Sequence, residues 1–136
     1  MGFKPQLIIL EEDAELRWQI IEIATDLGFT ALSVVTMREF VLQYQQMLPD
    51  AIVMELVSHD IDGFELLNYL SEQNSAAHLV LRSAEASYLQ IAKRLCEVQG
   101  LQVAECYVTP LRLDMLRLTL EQLAFTIRDQ RQRAIG

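Results

Sequence analysis

Glycine, cysteine and basic residues are all scarce in this chain, and each scarcity closes off a class of function. The five glycines form neither GxGxxG nor a P-loop, so a loop for cradling nucleotide phosphates is missing. The two cysteines, Cys96 and Cys106, lack CxxC spacing and lie among apolar residues, the pattern of reduced thiols rather than a zinc or redox pair. Long apolar runs are absent too, with none near the ~20 residues a membrane span needs. Met1 to Pro5 does not open a signal peptide. The expected location is therefore cytoplasmic. Lys and Arg number 11 against 19 Asp and Glu, for a net charge of −8. The one basic cluster, Arg128, Arg131 and Arg133, reads as a solvated, frayed helix end. Nucleic-acid binders usually carry a basic patch, so neither nucleic acid nor a membrane is an expected partner.

What remains is 136 residues, 51% of them hydrophobic, enough for one globular domain across 1–136. The stretch from Asp50 to Leu67 organises the reading. A short apolar run, Ala51 to Met54, suits a strand buried on both faces, and Glu55 stands at its end. Polar turn residues Ser58, His59 and Asp60 follow, and Asp62 with Glu65 opens a helix. The same alternation repeats along the chain. Leu7 to Leu10, Ala31 to Val35, His78 to Arg82 and Leu101 to Val108 read as the other strands. Asp13, the T-x-x-E box at Thr36 and Glu39, and Ser87 with Gln90 mark helix starts, while Gly28, Pro49 and Gly100 mark ends. A fifth helix is expected over about 112–130, with a frayed tail to 136. Five strands alternating with five helices predict right-handed βαβ units and a parallel sheet covered on both sides, a three-layer α/β/α fold.

Open α/β sheets place their sites at the carboxyl ends of the strands. Glu11 and Glu12, Glu55, Ser83, and Thr109 with Pro110 fall there. Strand alternation, taken from Ser83 facing the crevice, points Arg82 away from it. The three glutamates are then expected to face one another without a basic residue between them, which makes Glu11, Glu12 and Glu55 candidates for weak Mg²⁺ binding. A nucleophile–base pair is missing, so enzymatic activity is not expected. His59, alone in a loop, reads as solvated.

These residues resemble the receiver domain of two-component response regulators over nearly the whole chain. That family has an acidic pair after strand one, matched by Glu11 and Glu12. Its pattern D-x-x-x-x-D-x-x-M-P-x-x-D-G-x-E-L is approached by Asp50 through Leu66, with Glu55 at the phospho-accepting position and Asp62, Gly63, Glu65 and Leu66 at the framework. Ser83 falls at its hydroxyl position after strand four, and Thr109 precedes Pro110 where the family has Lys-Pro. The resemblance implies the CheY-like, flavodoxin-like strand order 2-1-3-4-5, no required cofactor, with Mg²⁺ a possible ligand, and a role in two-component or phosphorelay signalling. The segment from Gln90 to Val103 further resembles receivers that precede cyclic-di-GMP phosphodiesterase (EAL) domains.

The departures carry as much information. Glu55 replaces the acceptor Asp, Thr109 replaces the Lys, His59 replaces the turn Pro, and Cys106 falls at the switch aromatic with Tyr107 one position on. Glu is one methylene longer than Asp and moves the attacking oxygen by about 1 Å or more. A misplacement of ~1 Å can cost about 100-fold in rate. Thr109 has no charge to neutralise a phosphoryl group. The reading is thus a degenerate receiver working through protein–protein contact. Within it Glu55 either imitates a phosphorylated Asp, held by Ser83, or is a relic. The alternative is a phosphorylation-competent receiver regulating an effector such as a cyclic-di-GMP phosphodiesterase.

Helix five carries two apolar rows. Leu113, Leu116, Leu120, Leu123 and Ile127 fit a core face, and Leu111, Met115, Leu118 and Phe125 lie almost opposite. The second row is expected to meet a partner, either a second copy in a homodimer or an effector domain.

Overall fold

A computed structural model describes residues 3–135. In chain order it contains β1 (Gln6–Leu10), α1 (Ala14–Asp26), β2 (Thr30–Val34), α2 (Met37–Met47), β3 (Ala51–Glu55), α3 (Gly63–Glu72), β4 (His78–Ser83), α4 (Ala86–Gln99), β5 (Gln102–Val108) and α5 (Leu113–Ile135). The strands pair in parallel in the order β2-β1-β3-β4-β5. The parallel sheet is the one expected from the alternation, and its order is the flavodoxin-like one that the resemblance implies.

Side-chain alternation divides the sheet into two cores. Ile8, Leu10, Ile52, Met54, Leu79 and Leu81 pack with Phe40, Leu66, Leu70 and Ala92, so this face is covered by α2, α3 and α4. Leu7, Ile9, Ala51, Val53 and Val80 pack on the other side with Ile20 and Ala24 of α1 and Leu116, Leu120 and Ile127 of α5. Burial of the central strands on both faces is what their continuous apolar runs require.

Local chemistry sets the helix starts. Asp13 accepts from the Leu16 N–H at 3.0 Å, and Thr36 from the Glu39 N–H at 3.1 Å. Asp62 accepts from the Phe64 N–H at 2.9 Å. The start of α4 differs from expectation. Ser87 lies inside the helix, whose N-cap position is Glu85 without a side-chain cap. Ser83 is the reason: its hydroxyl accepts from the Glu85 N–H at 3.1 Å and turns the chain into the helix early.

The α5 helix also departs from expectation, continuing to Ile135 instead of fading near 130. Its basic residues tie it down. Arg131 meets Asp50 at 3.1 Å and lies over the Phe3 ring at 4.2 Å, and Arg133 pairs with Asp129 one turn back. Among the described residues, no helix is long and apolar enough to cross a membrane.

Candidate functional site

Between β3 and α3 the chain doubles back over the end of its own strand. The Gly63 N–H donates to the Leu56 carbonyl at 2.8 Å. A Cβ at Gly63 would stand 2.5 Å from that oxygen and 2.6 Å from the Leu56 Cα, so only glycine fits this close approach. Asp62 and Gly63 together aim α3 and leave Glu55 at the rim of the crevice.

Three side chains meet there on the α1/α5 side of the sheet. Glu11 continues the row of Leu7 and Ile9, Glu55 that of Ala51 and Val53, and Arg82 that of Val80. In the β3–β4 register Glu55 stands directly beside Arg82. The Arg82 guanidinium is almost fully buried, with 8% of the side chain exposed. Its Nη2 lies 2.6 Å from Glu11 Oε1 and 3.5 Å from Glu55 Oε2, and its Nε donates to Glu11 Oε1 at 2.8 Å. Its Nη1 donates to the Thr109 hydroxyl at 3.0 Å. The expectation that Arg82 points away is therefore corrected. Alternation within β4 does separate Arg82 from Ser83, but the register with β3 decides which of the two stands beside Glu55, and it is Arg82.

The three glutamates do not converge as expected. Glu11 spends one oxygen on Arg82 and the other on the Asp13 N–H at 3.1 Å. Glu12 turns outward, where its Oε2 accepts from the His59 backbone N–H at 3.1 Å and meets the His59 ring at 3.0 Å. His59 is thus solvated, with 90% of its side chain exposed, but paired rather than free. Among the described residues no group of three or more His, Cys, Asp or Glu is arranged to hold a metal ion. A Mg²⁺ ion bound through Glu11, Glu12 and Glu55 would fit only after these bonds were broken.

The electrostatics follow the geometry. Burial pushes the Glu55 carboxyl above its ordinary value, the Arg82 charge pulls it back, and the charges of Glu11 and Glu12 push it up again. Glu12 is held below the ordinary carboxylate range, first by the His59 N–H. The His59 imidazole is raised by its bond to the Glu12 carboxylate.

The remaining site residues are placed as follows. Ser83 is buried, yet its hydroxyl serves Glu85, and among the described residues it makes no hydrogen bond to Glu55. Cys106 is half-buried against the α2–α4 core. Tyr107 faces the other way. Its ring packs on the α1/α5 side, and its hydroxyl bonds the Thr119 hydroxyl and the Met115 carbonyl, tying strand to helix. The Thr109–Pro110 bond is cis. Met115, Leu118 and Phe125 are exposed, Phe125 by 72%, whereas Leu111 precedes the helix and packs half-buried against the core. Leu111 therefore leaves the outer row.

The fold is that of response-regulator receiver domains. A response regulator from Colwellia psychrerythraea superposes with a TM-score of 0.77 at 23% identity, over 91% of this chain and 99% of its own. The non-phosphorylated HemR receiver domain of Leptospira biflexa gives 0.75 at 21% identity, over 89% and 94%. The chemotaxis response regulator CheY4 of Vibrio cholerae gives 0.73 at 17% identity, over 89% and 99%. No protein-family model and no curated protein matches the chain.

Proposed function

We propose that this chain is a degenerate receiver domain that acts in two-component or phosphorelay-type signalling by binding another protein, without being switched by phosphorylation. One observation carries the reading. The carboxylate at the acceptor position, Glu55, lies beside the buried Arg82–Glu11 pair, with Thr109 where a lysine would neutralise an incoming phosphoryl group. The attacking oxygen is displaced by the longer side chain, and the Arg82 guanidinium beside it is already bound to Glu11. Both losses act on the same transfer step, which depends on positioning and on fixed positive charge.

Among the two roles open to Glu55, the structure favours the relic. A phosphate mimic needs Ser83 to hold it, and alternation in β4 puts Ser83 on the opposite side of the sheet end from Arg82 and Glu55, with no hydrogen bond to Glu55 among the described residues. Tyr107, the aromatic nearest the switch position, is anchored to α5. The test is incubation with acetyl phosphate and Mg²⁺ followed by intact-mass measurement. No stoichiometric adduct is expected, and the gain of one phosphate per chain overturns the reading in favour of a phosphorylation-competent receiver regulating an effector.

The partner side of the reading rests on α5. Met115, Leu118 and Phe125 form an apolar row that the domain leaves uncovered. We assign it to contact with a second copy of the chain or with an effector domain. Sedimentation is expected to show concentration-dependent dimerisation that Phe125→Glu weakens; a strict monomer at high concentration rules out the homodimer.

A further inference from the structure

We infer that Arg82 is a built-in counter-cation: it holds the place between Glu11 and Glu55 where a divalent ion would have to bind, so the native crevice refuses such ions. This deepens the reading above and rests on the receiver-type crevice it describes.

The geometry leaves an incoming ion few ligands. Mg²⁺ and similar hard dications bind through one or two carboxylates and keep several waters in a near-octahedral shell. Glu11 offers little: Oε1 is filled by two N–H groups of Arg82, and Oε2 is already engaged by the Asp13 N–H. Glu12 is turned to His59. Glu55 remains, with Oε2 3.5 Å from a full positive charge. An ion arriving there meets like charge at close range.

Arg82 cannot vacate the place by losing its proton, because a guanidinium stays charged across the whole accessible pH range. Nor is it a loose surface side chain. It is buried, and the Thr109 hydroxyl anchors the arm of its fork that points away from Glu11. Without Arg82, Glu11 and Glu55 would share one side of the sheet end with no compensating charge. Such a pair recruits a cation or a proton. The residue that keeps the crevice neutral thus also decides what the crevice can take.

The test uses Mn²⁺ alone, with free ion counted by electron paramagnetic resonance and folding checked by circular dichroism. The native chain is expected to show no site below about 1 mM Mn²⁺, whereas Arg82→Val is expected to bind one ion at least about tenfold more tightly. Adding Glu55→Gln to Arg82→Val is expected to remove the gain. Two outcomes overturn the inference: one Mn²⁺ bound by the native chain as tightly as by the variant, or a folded Arg82→Val that gains nothing. Should Arg82→Val fail to fold, Arg82→Met, which keeps much of the buried stem without the charge, takes its place, and the native measurement stands by itself as a means of refutation. No phosphodonor is present, so ion binding by the native chain sinks this inference while leaving the phosphate-uptake result to judge the wider reading.

Discussion

Two neighbouring regions hold their shape by different means. From Leu56 to Glu65 the turn after β3 is shaped mainly by contacts between near neighbours: Asp62 caps the Phe64 N–H, and Gly63 bonds back to Leu56, while Glu12 reaches only its tip at His59. The crevice beside it is fixed by contacts between distant parts of the chain. Glu11 and Arg82 are 71 residues apart, and Glu12 and His59 are 47 apart. The turn carries Asp62, Gly63, Glu65 and Leu66 at the framework positions, with Ser58 and His59 in place of Met-Pro, while the crevice carries Arg82 bonded between Glu11 and Glu55. Local hydrogen bonds and close backbone packing can therefore set the shape of the turn largely apart from the long-range ionic network beside it.

The largest effect that could break this comparison is at Arg82. Removing one partner of a buried ion pair leaves the other charge uncompensated, at a cost of about 3–5 kcal/mol. Arg82→Val should lose stability on that scale in urea denaturation, because Glu11 is buried and its pair with Arg82 is only 2.6 Å long. Adding Glu11→Gln should recover a large part of the loss. If Arg82→Val costs less than about 1 kcal/mol, as an exposed pair would, the crevice is not the ionic unit described here.

At the turn the expected effect is smaller and steric in origin. Gly63→Ala drives a Cβ into the Leu56 backbone, which is not the far end of a flexible side chain and must itself move. Overpacking of this kind costs about 1–3 kcal/mol. The loss should appear in the denaturation midpoint without altering the crevice, so Mn²⁺ titrations of the native chain and of Gly63→Ala should coincide. A Gly63→Ala chain that gained an ion site would show that turn and crevice are coupled, and the contrast between them would fail.

The same contrast explains what could be read in the sequence. The alternation of strands and helices, the helix starts at Asp13, Thr36 and Asp62, and the Asp62–Gly63 turn follow from signals a few residues long, and all are present. The orientation of Arg82 does not follow from such signals. Alternation gives the relation between Arg82 and Ser83, but the pairing of Glu55 with Arg82 is a property of the β3–β4 register, which no single segment encodes. The bond from Glu12 to His59 joins two loops and has no periodicity at all. The end of α5 is hidden from the sequence for the same reason: a run of arginines reads as frayed until Asp50 and Phe3 are brought against it.

The smallest expected effect sharpens the comparison inside the crevice. Burial raises the Glu55 carboxyl above its ordinary value of 4.5, and Arg82 only partly offsets this. For an acid whose folded value is raised, the protonated form favours folding. Its contribution is fully present below the unfolded value and is lost as pH rises through the folded one. Glu55→Gln keeps a neutral amide of nearly the same shape at every pH. The variant should therefore be slightly more stable than the native chain at pH 7, and the two should converge below about pH 4.5. Paired denaturation curves at the two pH values measure this directly. A native chain that is instead the more stable at pH 7, by a margin that vanishes in acid, would mean that the attraction of Arg82 outweighs burial. Glu55 would then be a working member of the ion cluster, and the relic reading would give way to a carboxylate held in place by its neighbours.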